Sequence, residues 1–302
     1  MASTRKILAS CGNEIFRKIQ LKALLPMHNA CTMSTMLTNC KTWVLNKGKR
    51  KKLERIELWA LKKILDVPKT TPTPAIWYIT GSLTTSILID KRQLLYLKTI
   101  LDRPEQDPTR QMLNCMEGDD IGWANQIDKK LEKYNISYSW NEIRNMKFSQ
   151  WKRLVTMSTE KKNKEKLIDL CYNGKIEKQK TKEILDVLNR KDYVRGPRME
   201  ILTKSRYRSR IQIMSLFGML DCAKNYKYGN GSELCSMCKT TDDENHRINY
   251  CLKFAETNLC NSLVKFDFRS IFSINTETVD RAIEVVGSLW DLRNGRNEMH
   301  LN

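Results

Sequence analysis

Apolar side chains recur at helical spacing along this chain, in stretches that end at proline or glycine. In residues 49–67, Leu53, Ile56 and Ala60 lie three and four positions apart, and Pro68 follows the stretch. This spacing places them on one face of an α-helix. No part of the sequence sustains the alternation of apolar and polar residues that is typical of a half-buried strand. The sequence therefore predicts a mainly α fold.

Turn-forming and capping residues predict where the other helices begin and end. Pro74 is suited to the first turn of a helix, and Gly81 is expected to end that helix. Pro104 is expected to end the next helix. Ser139 has a glutamate, Glu142, three positions later, which is the pattern of a capping box at a helix start.

Residues 104–122 contain two prolines and two glycines and are predicted to be a loop-like linker. This linker would divide the chain into a helical region at 1–103 and a basic helical region at 123–226. A small metal-binding module is predicted at 227–256, followed by a C-terminal helical tail at 257–302. A helical bundle followed by a small metal module is the expected architecture.

Positive charge is concentrated in two stretches. The chain has 53 Lys and Arg against 34 Asp and Glu, a formal net charge of +19. Residues 41–63 hold nine basic and two acidic residues, and residues 147–210 hold nineteen and eight. Such stripes favour a polyanionic partner, either RNA or DNA, over the alternative of solvated helix surfaces. A membrane surface is the weaker rival, because neither stripe carries an aromatic apolar face of suitable size.

The basic side chains expected to contact phosphate groups fall into two clusters. They would provide affinity and salt dependence with little sequence preference. The first cluster comprises Lys49, Arg50, Lys51, Lys52 and Arg55, and the second comprises Arg206, Arg208 and Arg210.

The sharpest motif is a set of cysteines and a histidine with the spacing C-x2-C-x7-H-x4-C. Its members are Cys235, Cys238, His246 and Cys251. Four such ligands suit a tetrahedral Zn2+ ion with no open coordination position, so we expect a structural site and not a catalytic one. A chance arrangement of buried thiols and a redox Cys-x-x-Cys are the alternatives, although no βαβ pattern surrounds the pair. Tyr250 and Phe254 flank the motif and either stack on bases or close the small zinc core.

Three features bear on location. The longest stretch without a charged residue, 70–89, is interrupted by polar residues and proline, so we expect no transmembrane helix. The N-terminal residues lack the apolar region of a secretory signal, so we expect a protein that is not secreted. Residues 47–52 hold five basic residues in six, which is compatible with nuclear import.

Three blocks carry a resemblance to a known family. Residues 36–43 read Met-Leu-Thr-Asn-Cys-Lys-Thr-Trp, and residues 89–97 read Ile-Asp-Lys-Arg-Gln-Leu-Leu-Tyr-Leu. Basic residues at 204–210 precede the Cys/His motif as the third block. In this order the blocks resemble the C-terminal part of the reverse transcriptase polyprotein of non-LTR (LINE-type) retrotransposons. The resemblance covers residues 36–302 and implies a thumb-like region, a connector and a CCHC zinc knuckle that hold nucleic acid.

The chain also departs from that family. Thr38, Asn39 and Lys41 stand where Tyr, Gly and Glu are usual. The polymerase palm, whose aromatic-x-Asp-Asp motif holds catalytic magnesium, has no counterpart here. The sequence also lacks a P-loop and a nucleophile elbow, so we expect no enzymatic activity.

Two functional hypotheses follow. The first is a nucleic-acid-binding fragment related to the C-terminal part of a LINE-type reverse transcriptase, which lacks the polymerase palm and any nuclease site and is expected in the nucleus. The second is a zinc-stabilised protein-interaction domain derived from such an element. The second is favoured by residues 221–260, which hold five basic and six acidic residues.

Overall fold

The computed structural model describes residues 19–69, 71–117, 122–173, 188, 198–203, 205–216, 234–235, 238–241 and 246. These residues are mainly helical and contain no strand beyond one isolated β-bridge, which confirms the predicted fold class. The α-helices of four or more residues in this part of the chain are α1 (Leu21–Met27), α2 (Lys47–Ile64), α3 (Thr73–Thr80), α4 (Thr85–Leu101), α5 (Pro108–Cys115), α6 (Gly122–Lys133), α7 (Trp140–Asn145), α8 (Phe148–Tyr172), α9 (Met199–Leu202) and α10 (Arg206–Leu216). Helix α1 continues into a π-helix, His28–Met33, and a short α-helical segment, Ser34–Met36.

The predicted helix boundaries at turn residues hold in most places. Pro74 lies in the first turn of α3, and Gly81 ends that helix with a left-handed φ of 62°. Ser139 and Glu142 form the expected capping box at the start of α7. Helix α2 ends earlier than Pro68 implied, because Asp66 takes a left-handed φ of 54° and the Val67 amide donates back to the Lys62 carbonyl.

Helix α4 is the centre of the bundle. Its C-terminal half contributes Leu94, Leu97 and Leu101 to an apolar core shared with α5, α6, α7 and the start of α8. Trp151 of α8 is fully buried in this core, and its indole N–H donates to the Leu94 carbonyl at 2.9 Å. Burial of these side chains is the main source of stability for α4 and its neighbours.

Helix α8 joins two apolar cores. Its 25 residues extend over about 37 Å, because each helical residue rises 1.5 Å. The first turns pack in the α4 core, whereas Leu167 and Cys171 pack with α1, α2 and α3 in a second core. The charged run 160–166 is therefore a segment of a long helix, and Asn163 on its inner side is buried.

The stretch 104–122 differs from the loop-like linker that the sequence predicted. Asp107 caps helix α5 by accepting hydrogen bonds from the amides of Thr109 and Arg110. Leu113 of α5 is buried in a core that also holds Leu101 and Ile127, which lie on either side of this stretch. Pro108 misled the prediction, since proline in the first turn opens a helix as readily as it ends one. The remaining domain boundaries are still predictions.

The blocks 36–43 and 89–97, singled out in the sequence, pack against each other. Cys40–Thr42 forms a single 3-10 turn that lies on α4. The Gln93 amide nitrogen donates to the carbonyls of Cys40 at 3.0 Å and Trp43 at 2.7 Å. One side chain of α4 therefore holds the turn in place.

Buried charge is neutralised at Asp90 of α4. Its carboxylate accepts from Arg50 at 2.6 Å, from Lys133 at 2.7 Å and from the Tyr134 hydroxyl at 2.9 Å. Burial by itself would raise the pKa of Asp90, but the charges of Lys133 and Arg50 hold this pKa below its ordinary value. The carboxylate therefore ties α2, α4 and the end of α6 together as an ion.

No helix in the described part of the chain combines the length and the apolar composition needed to cross a membrane.

Candidate metal centre and candidate nucleic-acid interface

The first two cysteines of the motif, Cys235 and Cys238, lie on a tight hairpin. Leu234 and Thr241 form an antiparallel bridge, and the Cys235 amide donates to the Thr240 carbonyl at 2.7 Å. The Lys239 amide donates to the Cys235 carbonyl at 2.9 Å. Lys239 takes a left-handed φ of 56°, which allows the chain to reverse directly after Cys238.

The hairpin brings three predicted ligands together. Ligand atoms of Cys235, Cys238 and His246 all lie within 4.8 Å of one another, so this group can hold a metal ion. Ligand atoms around a tetrahedral zinc ion are about 3.5–3.8 Å apart, given Zn–S and Zn–N distances of about 2.3 and 2.0 Å. Movements of about 1 Å are therefore enough to form three of the four bonds. Cys251, the predicted fourth ligand, lies outside the described residues, as do Tyr250 and Phe254.

The histidine is oriented by the same hairpin. His246 Nδ1 lies 3.0 Å from the Thr240 hydroxyl, and the imidazole is buried. A histidine that binds metal through one ring nitrogen commonly engages a polar partner through the other. Nε2 is therefore the nitrogen suited to a metal ion. The Thr240 hydroxyl, which the spacing motif alone does not identify, lies against the other ring nitrogen.

Four of the five predicted phosphate contacts on α2 face solvent. The side chains of Lys49, Lys51, Lys52 and Arg55 are exposed. Among the residues that the structure describes, none of these four forms an ion pair. Asn46 is the N-cap of helix α2, and its side chain accepts from the Lys49 amide at 2.9 Å, so this cap fixes the start of the helix.

Arg50, the fifth predicted phosphate contact on α2, does not face solvent as the other four side chains do. Its guanidinium donates to the buried Asp90 at 2.6 Å and to the Ser86 carbonyl at 3.4 Å. The prediction that Arg50 is a phosphate contact is therefore corrected. Helical geometry explains the difference, because Arg50 lies seven residues before Glu57 and so shares its inward face.

Of the second predicted cluster, Arg210 lies near the end of α2. Arg210 Nη1 pairs with Asp66 at 3.3 Å, and both groups are partly exposed. An exposed pair of this kind contributes about 0–1 kcal/mol, so Arg210 is held only weakly. The Arg208 amide donates to the Ser205 hydroxyl at 3.3 Å, and Arg206 lies in the first turn of α10. Arg210 thus links α10 to α2.

One aromatic side chain, which was not among the predicted contact residues, lies beside the exposed cations of α2. Trp59 is 36 % exposed. It lies seven residues after Lys52 and four after Arg55, on the same side of α2. This surface, which we call the α2 basic face, consists of Lys51, Lys52, Arg55, Trp59 and Lys63 with Lys49 at its edge.

Comparisons with known proteins add no assignment: no protein-family model, no curated protein and no solved structure matches this chain.

Proposed function

We propose that this chain is a nucleic-acid-binding protein whose α2 basic face contacts phosphate groups. The observation that carries the proposal is the set of exposed side chains Lys49, Lys51, Lys52 and Arg55, which make no ion pair with any described residue. In a chain of net charge +19, these side chains create a positive electrostatic potential that attracts a polyanion. The exposed Trp59 adds a ring on which an unpaired base can stack.

We further propose that the Cys/His cluster is a structural zinc knuckle with Cys251 as fourth ligand. A site with four protein ligands has no open position for a substrate, so zinc would stabilise the hairpin and perform no reaction. The proposed role is that of a non-catalytic fragment related to the C-terminal part of a LINE-type reverse transcriptase, acting in the nucleus. The support for that relationship is the order of the three sequence blocks, two of which pack together on α4.

The test of nucleic-acid binding is the salt dependence of affinity. We would measure binding of a labelled single-stranded RNA by the full chain between 50 and 300 mM KCl, a range chosen around physiological ionic strength of about 150 mM. Replacing Lys49, Lys51, Lys52 and Arg55 by Gln should reduce the slope of log K against log salt by about 3, since each lost contact contributes about 0.7 for single strands.

A matched control removes the same charge elsewhere. Three exposed lysines and one exposed arginine outside α2 serve this purpose when each is replaced by Gln: Lys22, Lys129, Arg153 and Lys161. This control should keep a slope close to that of the wild type. A slope for the α2 variant that equals the wild-type slope would exclude the α2 basic face as the contact surface. No binding by the wild type would overturn the proposed function and favour the protein-interaction alternative.

Elemental analysis tests the knuckle. The wild-type chain should carry about one zinc ion, and Cys238→Ser should lose it. Cys115→Ser is the matched control, because Cys115 is an exposed cysteine away from the cluster. Cys251→Ser should weaken zinc retention, whereas unchanged retention in that variant would exclude Cys251 as the fourth ligand.

A further inference from the structure

A groove lies where the turn at Leu37–Lys41 meets α4 and the first residue of α8. Its volume is about 350 Å3, which is at the lower end of the range of small-molecule sites, about 300–1,000 Å3. The groove is separate from both the α2 basic face and the Cys/His cluster. Its walls are formed by Leu37, Asn39, Cys40, Lys41, Arg92, Leu95, Tyr96, Thr99 and Phe148.

The described residues that line the groove include two cations and no acidic side chain. Lys41 and Arg92 both line it, and among the described residues neither forms an ion pair. One guanidinium nitrogen of Arg92, Nη1, donates to the Leu37 carbonyl at 3.3 Å. The other guanidinium nitrogens make no hydrogen bond to any described residue. Burial raises the pKa of the Cys40 thiol, which therefore stays neutral and adds no negative charge. A ligand with an anionic group fits this wall.

Two aromatic side chains, Tyr96 and Phe148, also line the groove. The Lys41 ammonium lies 4.5 Å from the centre of the Tyr96 ring, so cation and ring form one surface. Tyr96 in turn packs edge-to-face on Trp123, with 6.1 Å between ring centres. Phe148 lies at the rim and is 46 % exposed, although it is a large apolar side chain. A flat ring in the ligand would cover Phe148 and remove this apolar surface from water.

The groove is held in shape before any ligand arrives. Gln93 fixes the turn through the carbonyls of Cys40 and Trp43, and the Trp123 indole donates to the Lys41 carbonyl at 2.9 Å. Asn39 takes a left-handed φ of 56°, which turns the chain at the groove edge. These bonds reduce the ordering that binding would otherwise require.

We propose that this groove binds one nucleotide of a single-stranded nucleic acid. The phosphate would lie between Lys41 and Arg92, and the base would stack on Phe148 with Tyr96 beside it. A base can enter such a groove only when it is unpaired, so the site selects single strands over duplexes. The inference rests on the proposed nucleic-acid binding and adds to it the strandedness of the ligand and a second contact surface.

The experiment compares a labelled 12-nucleotide single strand with a duplex of the same sequence, using the full chain. Phe148→Ala should weaken single-strand binding by about fivefold or more, as loss of one stacked base does, and should leave duplex binding unchanged. Lys41→Gln should reduce the single-strand salt slope by about 0.7. Met157→Ala and Lys161→Gln are the matched controls, because both are exposed residues of α8 outside the groove walls.

A second measurement locates the base directly. An oligonucleotide carrying 4-thiouridine should cross-link, under long-wavelength light, to a peptide that contains Phe148 or Tyr96. Equal single-strand affinity of Phe148→Ala and Met157→Ala would overturn the groove proposal while leaving the α2 basic face in place. Absence of any nucleic-acid binding by the wild type would overturn both proposals, so the two failures are distinguishable.

Discussion

Glu57 is a buried carboxyl group whose ionisation should control stability between pH 4.5 and pH 8. It lies on the inward face of α2 and is 3 % exposed. Its carboxyl oxygen accepts from the Thr85 amide at 3.1 Å and from the Thr85 hydroxyl, at the start of α4. Burial raises the pKa of Glu57 from 4.5 to about 7, and the Thr85 hydrogen bonds offset part of this rise. Glu57→Gln keeps the shape of the side chain and removes the ionisation.

The sign and size of the effect follow from the two pKa values. In the folded chain Glu57 binds its proton more tightly than in the unfolded chain. Its contribution to stability is therefore fully present below pH 4.5 and is lost as pH rises through about 7. The difference between these two pKa values, at 1.36 kcal/mol per unit, corresponds to about 3 kcal/mol. That is a large share of the 5–15 kcal/mol by which domains are usually stable, so the loss is measurable.

Urea unfolding of the full chain at several pH values is the assay. The free energy of unfolding of Glu57→Gln, relative to the wild type, should increase by about 3 kcal/mol between pH 4.5 and pH 8. Glu132→Gln is the matched control, because it removes the same charge from an exposed position at the end of α6. This control should show no comparable trend.

A difference that does not grow with pH would refute this reasoning. It would mean that Glu57 ionises without penalty, because the N-terminus of α4 and the Thr85 donors stabilise the carboxylate as well as water does.

Three further predictions concern other sites. Asp90→Asn should lower the free energy of unfolding by about 3 kcal/mol in urea titrations, because Arg50 loses its carboxylate inside the bundle. Unchanged stability would show that solvent replaces this partner. Thr240→Val should lower zinc affinity by about tenfold to 100-fold in chelator competition, since it removes the group that orients His246. Equal affinity would exclude this positioning role. Lys239→Gly should raise zinc affinity about fivefold in the same competition, because glycine takes a left-handed φ without the cost of about 1–2 kcal/mol borne by other residues. A weaker site would show that the lysine side chain itself supports the hairpin.

Local chemistry made the helices predictable. Pro74, Gly81 and the Ser139–Glu142 pair act within one turn of their own position, so the sequence contains the whole signal. The Cys/His motif was predictable for the same reason, because Cys235 and Cys238 lie on one hairpin that forms from neighbouring residues. Pro108 was ambiguous, since the same residue ends one element and opens another, and only the buried position of Leu113 distinguishes the two cases.

Contacts between distant segments were not predictable in this way. The groove depends on Gln93, which holds a turn about fifty residues earlier in the chain. Nothing near Phe148 indicates that it lies at the rim of that groove, because its exposure is set by the packing of α8 against α4.

The role of Arg50 was predictable from the sequence only in part. Its register was available from the sequence: Arg50, Glu57 and Ile64 are seven residues apart, and a helix returns to nearly the same face over that distance. An inward-facing arginine needs a carboxylate, and Asp90 supplies it from forty residues away. Register therefore separates cations that hold the bundle together from cations that face solvent. In a chain of this net charge that separation identifies a ligand surface better than a count of basic residues does, because only unpaired and exposed cations are available to a phosphate.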